Sequence, residues 1–353
     1  MKLFKKILKI AGISLLLIIT VPLLVGQVLK LAASDEPPPG KLVDVGGYKL
    51  HINCVGPTKP GGEELPTVII EAGAGTASPN YHWILNGVAE KTRACVYDRA
   101  GLAWSEESNL PRDAETISKA LHALLEKEGI KRPLVFAGHS IAGLYMRDYV
   151  ERYPADVAGL VFLDPSHPDQ NEKLGLTKEL RDELVESAKT MVSIAGWLHT
   201  LGLTEIYNPL VQMSPDYAEA PEIIQRQLHY LSKRPAMFDA ALAELDGFDA
   251  AGKQAAKNAS LGDRPVVVIS ATKEIPDGIL PEGVSKERFQ TEFVKLHDEI
   301  AAMSTRSERV KIDTADHMGL ITNRENAAKV VPYIIKVARE STKKPETAES
   351  PEE

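Results

Sequence analysis

Cysteine is scarce in this chain. There are two, Cys54 and Cys95, in 353 residues. Two cysteines do not build a disulfide scaffold, and no CxxC or Cys/His cluster offers a metal site. Positive charge is also in short supply: 41 Lys and Arg stand against 49 Asp and Glu, a net charge of −8. A nucleic-acid surface is usually basic, so that class of partner is disfavoured. The GxxxxGK(S/T) spacing of a phosphate-cradling loop is missing. No internal repeat is visible. Hydrophobic residues are not lacking: at 44% of the chain they can fill a large core.

Charge is unevenly placed. Residues 1–9 carry four lysines, and residues 10–29 carry no charge at all. A helix of twenty apolar residues spans about 30 Å, the thickness of a hydrocarbon core. Lysines on its leading side predict that this side stays cytoplasmic. Residues 1–34 are therefore expected to be a single-pass anchor of the cytoplasmic membrane, with the rest of the chain outside. The alternative is a signal peptide cut near Leu31-Ala32-Ala33-Ser34 and a secreted product. Residues 35–40, DEPPPG, read as a stiff exposed linker. The far end, residues 341–353, reads STKKPETAESPEE, too poor in apolar side chains to offset ordering entropy, and is expected to be disordered.

Between these ends, short apolar or β-branched runs alternate with helix-period segments. The runs fall at 42–45, 48–55, 67–70, 94–97, 134–137, 160–163, 266–269 and 310–312. Alternation of this kind predicts an α/β fold with an eight-stranded, mostly parallel sheet covered on both faces. The first two runs, joined by Gly46-Gly47, read as an antiparallel entry. One interval breaks the rhythm. Roughly a hundred residues between Leu163 and Val266 are far too many for a plain connection. They show helical patterns near 178–201, 221–231 and 235–245, with aromatic residues including Trp197, Tyr207 and Tyr230. This predicts an inserted helical cap, residues 166–255, on a core made of 41–165 and 256–340. The cap's aromatics either line a pocket or pack the cap in place.

The run 134–137 ends in GHSIAG, residues 138–143. A strand-to-helix turn this tight needs small residues beside the serine, and Gly138, Ala142 and Gly143 supply them. The turn would push Ser140 Oγ into the open above a helix N-terminus. A hydroxyl is a weak nucleophile without a base. His317, in the loop after the last run, can reach the same sheet edge. A site for developing negative charge is expected at the loop EAGAGT, residues 71–76, with the backbone amides of Ala74 and Ile141 as donors.

These motifs, in this order, resemble the α/β-hydrolase superfamily over residues 41–337: GHSIAG, EAGAG, the turn Tyr97-Asp98-Arg99-Ala100-Gly101 with Ser105, and Asp316-His317. The segments PGKLVDVGGY (39–48) and SHPDQ (166–170) are similar in particular to bacterial membrane-anchored hydrolases. Ala142 replaces the second glycine of GxSxG, Ala72 stands where many relatives have histidine, and Asp316 replaces a usual glycine. The resemblance implies a serine hydrolase acting on esters or related small-molecule acyl substrates, with no metal or organic cofactor. It implies Ser140 as nucleophile, His317 as base and a carboxylate to orient it. Asp164, at the end of the sixth strand, is preferred for that role, and Glu274, after the seventh, is the alternative. In the family's sheet the strands holding Cys54 and Cys95 are neighbours, so the two either form a disulfide or stay buried thiols. Two other functions remain open at this point: a non-catalytic ligand binder on the same fold, and an acyltransferase. The oligomeric state is not legible.

Overall fold

The computed structural model describes residues 2–33, 35–57, 64–208, 211, 215–278, 280 and 284–343. The expected eight strands form one sheet: β1 (Lys41–Asp44), β2 (Lys49–Val55), β3 (Val68–Glu71), β4 (Ala94–Tyr97), β5 (Leu134–His139), β6 (Val157–Leu163), β7 (Gly262–Ala271) and β8 (Ser304–Ile312). Their order is β1-β2-β4-β3-β5-β6-β7-β8. β2 pairs antiparallel with both β1 and β4, and the remaining pairs are parallel. Cys54 and Cys95 face each other in the β2–β4 register and are joined by a disulfide.

The central strands are apolar throughout because both faces are buried. Val68, Ile70, Val135, Ala137, Val161, Leu163, Val267 and Ile269 point to one side. There they meet Ile84 and Val88 of α2 (His82–Ala89) and Val330 and Ile334 of α10 (Arg324–Glu340). The alternate residues Ile69, Leu134, Phe136, Leu160, Phe162, Val266 and Val268 point to the other side. They pack on Leu121 and Leu124 of α3 (Ala114–Lys127), Met146 and Tyr149 of α4 (Ala142–Arg152) and Ile300 of α9 (Lys286–Ala301). Each such Val, Leu, Ile, Phe or Met side chain, fully buried, contributes about 1.5–3 kcal/mol of transfer free energy. Helix starts follow local chemistry: the Asp113 carboxylate accepts from Thr116 N at 2.9 Å, and the Asn323 side chain accepts from Asn326 N at 3.2 Å.

The described residues form two compact units. One holds the sheet and comprises residues 38–183 and 236 onward; the other comprises residues 1–37 and 184–235. The long interval between β6 and β7 is helical, as its patterns predict: α5 (Lys178–Thr200), α6 (Glu222–Leu231), α7 (Pro235–Asp246) and α8 (Phe248–Ala255). It does not form one block, however. Ala251 and Ala255 of α8 are buried with Ile117 and Leu144, and Glu244 of α7 pairs with Arg99, so these helices belong with the sheet. Residues 184–235 instead join α1 (Lys2–Ala32), a 31-residue helix apolar enough to cross a membrane. Residues 344–353, most of the expected disordered tail, lie outside the described residues.

Candidate active site

Parallel strands deliver their carboxyl ends to one edge of the sheet, and five loops from this edge carry the candidate residues. β5 ends at His139, and Ser140 follows with φ of 59°. That left-handed conformation is costly for a residue with a Cβ, so the surroundings must enforce it. They do so by crowding. A Cβ at Gly138 would lie 2.6 Å from Met146 Sδ, and one at Gly143 would lie 2.8 Å from Ser166 O. Ser140 N donates to Leu163 O at 3.1 Å, and Ser140 O accepts from Ser166 N at 2.8 Å and Gly143 N at 2.9 Å. The corner is therefore fixed by its backbone, which leaves the half-buried Ser140 side chain without a structural task.

Asp164 follows β6 in a second left-handed corner, φ 47°. Its Oδ1 accepts from Ala271 N at 2.9 Å, and its Oδ2 lies 2.6 Å from His317 Nδ1. Burial opposes ionisation of this carboxyl. The hydrogen bond and charge of His317, helped by the Ala271 amide, outweigh burial and hold its pKa below the ordinary aspartate value. In the neutral imidazole, with Nδ1–H donating to Asp164, Nε2 of His317 is left as the acceptor. Among the described residues, Glu274 makes no hydrogen bond to His317. It is exposed and pairs with Lys286 Nζ at 2.7 Å. Asp316 does not face the imidazole either: its Oδ1 accepts from Gly319 N at 2.8 Å and its Oδ2 lies 3.3 Å from Lys273 Nζ.

The loop of residues 71–76 is gripped from several sides. Arg99, buried, donates to Ala72 O at 2.7 Å and to Gly73 O at 2.8 Å, and pairs with Glu71 at 2.8 Å and Glu244 at 2.6 Å. Glu244 Oε2 accepts from Gly75 N at 3.0 Å, and Tyr81 OH accepts from Gly73 N at 2.7 Å. Ala74 packs against the small cluster that contains Ile141. Among the described residues, neither the Ala74 nor the Ile141 amide has a hydrogen-bond partner.

Sequence reasoning missed a supporting layer. His139 Nε2–H donates to His317 O at 2.9 Å, and the two rings lie 4.4 Å apart. Burial first, and the His317 charge second, push the pKa of His139 down to about 3, so it stays neutral. On the other side, His297 Nε2–H donates to Pro165 O at 2.9 Å, next to Asp164. Its Nδ1 therefore accepts from Ser270 Oγ at 2.6 Å, and Ser270 Oγ accepts from Arg309 at 2.9 Å. Burial lowers the His297 pKa to about 4. The only cue to His297 in the sequence is a histidine on the apolar face of a helix, which normally means a satisfied core residue.

Ser140, Asp164 and His317 line one cavity of about 760 Å³, within the sheet unit. Its other walls are mostly apolar, with Leu174, Leu176, Ile275, Pro276, Phe289 and Phe293 among them. Trp197 and Tyr207, in the other unit, are exposed. Among the described residues, one group has metal-ligand spacing: His167, Asp169 and Glu299. Lys173 Nζ already sits on Glu299 at 2.6 Å, and the pKa of His167 is pushed down to about 4, by burial and then by the Arg147 charge. The Glu299 carboxylate thus already has a cationic partner.

Residues 66–201 match the family model of the alpha/beta hydrolase fold. An uncharacterized protein of Bacillus subtilis is 28% identical over 220 residues, covering 60% of this chain and 64% of that protein. An AB hydrolase superfamily protein of Gibberella zeae is 23% identical over 312 residues, 82% of this chain and 92% of that protein. The chain spans less than two thirds of the B. subtilis relative and only 35% of an uncharacterized Schizosaccharomyces pombe relative, 25% identical over 198 residues. Among solved structures, a thermophilic esterase from Thermogutta terrifontis superposes with a TM-score of 0.56 at 18% identity, covering 82% of this chain and 94% of its own. That likeness concerns the fold alone. Sheet order, the strand-to-helix turn at Ser140 and the family model matched by residues 66–201 agree: the chain has the α/β-hydrolase fold.

Proposed function

We propose that this hydrolase-fold protein is a serine hydrolase that cleaves carboxylic esters or related acyl substrates. The observation that carries the reading is the shared cavity: Ser140, on its strained corner, opens into the same space as His317, whose Nδ1 is held by Asp164. In this mechanism Ser140 Oγ attacks the substrate carbonyl carbon while His317 Nε2 takes its proton. Asp164 keeps the imidazole in the required tautomer and faces the imidazolium as it forms. The amides of Ala74 and Ile141 bind the oxyanion. His317 then protonates the leaving alcohol. Water, deprotonated by the same imidazole, attacks the acyl-serine and releases the acid. No step calls for a cofactor. A cavity of this size with mostly apolar walls suits an ester with a substantial apolar portion.

The same reading includes an uncleaved α1 anchor with its lysines in the cytoplasm and the hydrolase body outside. The Cys54–Cys95 disulfide favours that side of the membrane, since thiols are kept reduced in the cytosol. The test is turnover of p-nitrophenyl esters of graded chain length by the purified protein. Activity on at least one ester, lowered at least about 10³-fold by Ser140→Ala, is expected. Equal rates for the two proteins would contradict the assignment.

A further inference from the structure

The unit formed by residues 1–37 and 184–235 displays an unusual surface. On the carboxyl half of α5 and one residue past its end, Met191, Ile194, Trp197 and Leu201 recur every three or four residues on one side. All four are exposed, Met191 by 62%, Ile194 by 55% and Trp197 by 68%. Ile206 and Tyr207, just beyond, are exposed as well. From residue 190 to residue 204 there is no Asp, Glu, Lys or Arg. Glu205, where charge returns, is already paired with Lys233 at 2.8 Å. A soluble surface rarely leaves so many large apolar side chains together.

The position of this stretch relative to α1 identifies what covers it. Gly26 and Gly202 meet backbone to backbone: a Cβ at Gly202 would lie 2.7 Å from Gln27 N. Gly26 is four residues before Lys30, the first charge after the apolar span, or about 6 Å along the helix axis. If α1 spans a bilayer, Gly202 and Leu201 lie at the depth of its outer interface. Of the carbonyls at the end of α5, which a helix terminus leaves without intrahelical partners, two are satisfied from α1. Thr200 O accepts from Gln27 Nε2 at 2.8 Å, and His199 O accepts from Lys30 Nζ at 3.2 Å and Gly202 N at 2.9 Å. A helix end with its carbonyls covered can enter a region where water is scarce. Trp and Tyr are the side chains that favour this level of a membrane.

We propose that the face of α5 formed by Met191, Ile194, Trp197 and Leu201 lies in the outer interface of the bilayer that α1 spans, as an interfacial helix that gives the protein a second membrane contact. The proposal rests on the reading of α1 as an uncleaved anchor.

The experiment uses the full chain reconstituted into phosphatidylcholine vesicles, with plain acyl chains or with dibrominated chains that quench indoles on contact. α1 has no tryptophan, and the other two, Trp83 and Trp104, belong to the sheet unit. Vesicle flotation is measured on the same samples. The expected result is flotation in both lipids, with brominated lipid removing roughly a third of the emission, the share of one indole in three. Trp197→Phe should float equally and lose the brominated-lipid effect. Flotation with identical emission in the two lipids would overturn the interfacial helix while leaving the anchor intact, and would assign the face to a protein partner or a second copy. Failure to float would overturn the anchor reading and this proposal with it.

Discussion

The Nδ1 of His317 lies 2.6 Å from Oδ2 of Asp164, a residue 153 positions earlier in the chain. The two are brought together because β6 and β8 run parallel and end at one edge, on either side of β7. Asp164 reaches the imidazole from a left-handed corner, and Ala271, the last residue of β7, holds its other oxygen.

That contact separates the two carboxylates considered for the role. Asp164→Asn keeps the shape but offers the imidazole the wrong partner, so kcat should fall by about 10⁴-fold. Glu274→Gln should leave kcat within about twofold, since an exposed pair such as Glu274–Lys286 contributes little. Steady-state kinetics on one ester, with circular dichroism as the folding control, decide between them. The reverse pattern would make Glu274 the orienting acid.

The depressed Asp164 pKa has a stability consequence of definite sign. Its folded value lies below the unfolded one of about 3.9, so the ionised carboxylate stabilises the fold above about pH 4. That contribution is lost as pH falls through the folded value. Measured by urea unfolding, the stability of the wild type relative to Asp164→Asn should be greatest near neutral pH and shrink below about pH 4. A difference that stays constant down to pH 3 would contradict it.

His297 is expected to act through Asp164 without touching substrate. His297→Ala removes the donor that holds Pro165 O, and a displacement of about 1 Å at the neighbouring carboxylate would lower kcat by about 10²-fold with KM little changed. His297→Gln, which retains a side-chain N–H, should recover part of that loss. Ser270→Ala, which removes the hydroxyl bonded to His297 Nδ1, should show a smaller loss of the same kind. An effect confined to KM would place His297 elsewhere in the mechanism.

Glu244 joins α7 to the loop of residues 71–76 through Arg99 and Gly75 N. Glu244→Gln leaves a buried guanidinium with Glu71 as its remaining carboxylate partner, which should cost about 3 kcal/mol of stability in the sheet unit. The urea midpoint and slope measure it. A cost under about 0.5 kcal/mol would mean that the pair is replaceable.

Much of this architecture is written in local sequence. The central strands read as unbroken apolar runs because helices cover both faces, and the serine turn reads as such because only small residues fit beside Met146 and Ser166. β8 was legible only at its last three residues. The sheet's edge strand begins with the polar stretch STRSER, since an edge with one solvated side demands no apolar run. The division of the 166–255 interval was not legible either. It depends on a buried Arg99–Glu244 pair 145 residues apart and on a contact between Gly26 and Gly202, and neither leaves a periodic trace. His139 and His297 were passed over for the same reason: each is defined by the carbonyl it holds, and that carbonyl belongs to a distant loop.

The central claim is that the Ser140 hydroxyl is an activated nucleophile. Treating the folded protein with a fluorophosphonate and mapping the adduct by peptide mass spectrometry tests it most directly. A single adduct on the peptide containing Ser140, absent in His317→Ala and in heat-unfolded protein, is the predicted result. No adduct on Ser140 in protein shown to be folded, or equal labelling after unfolding, would contradict it.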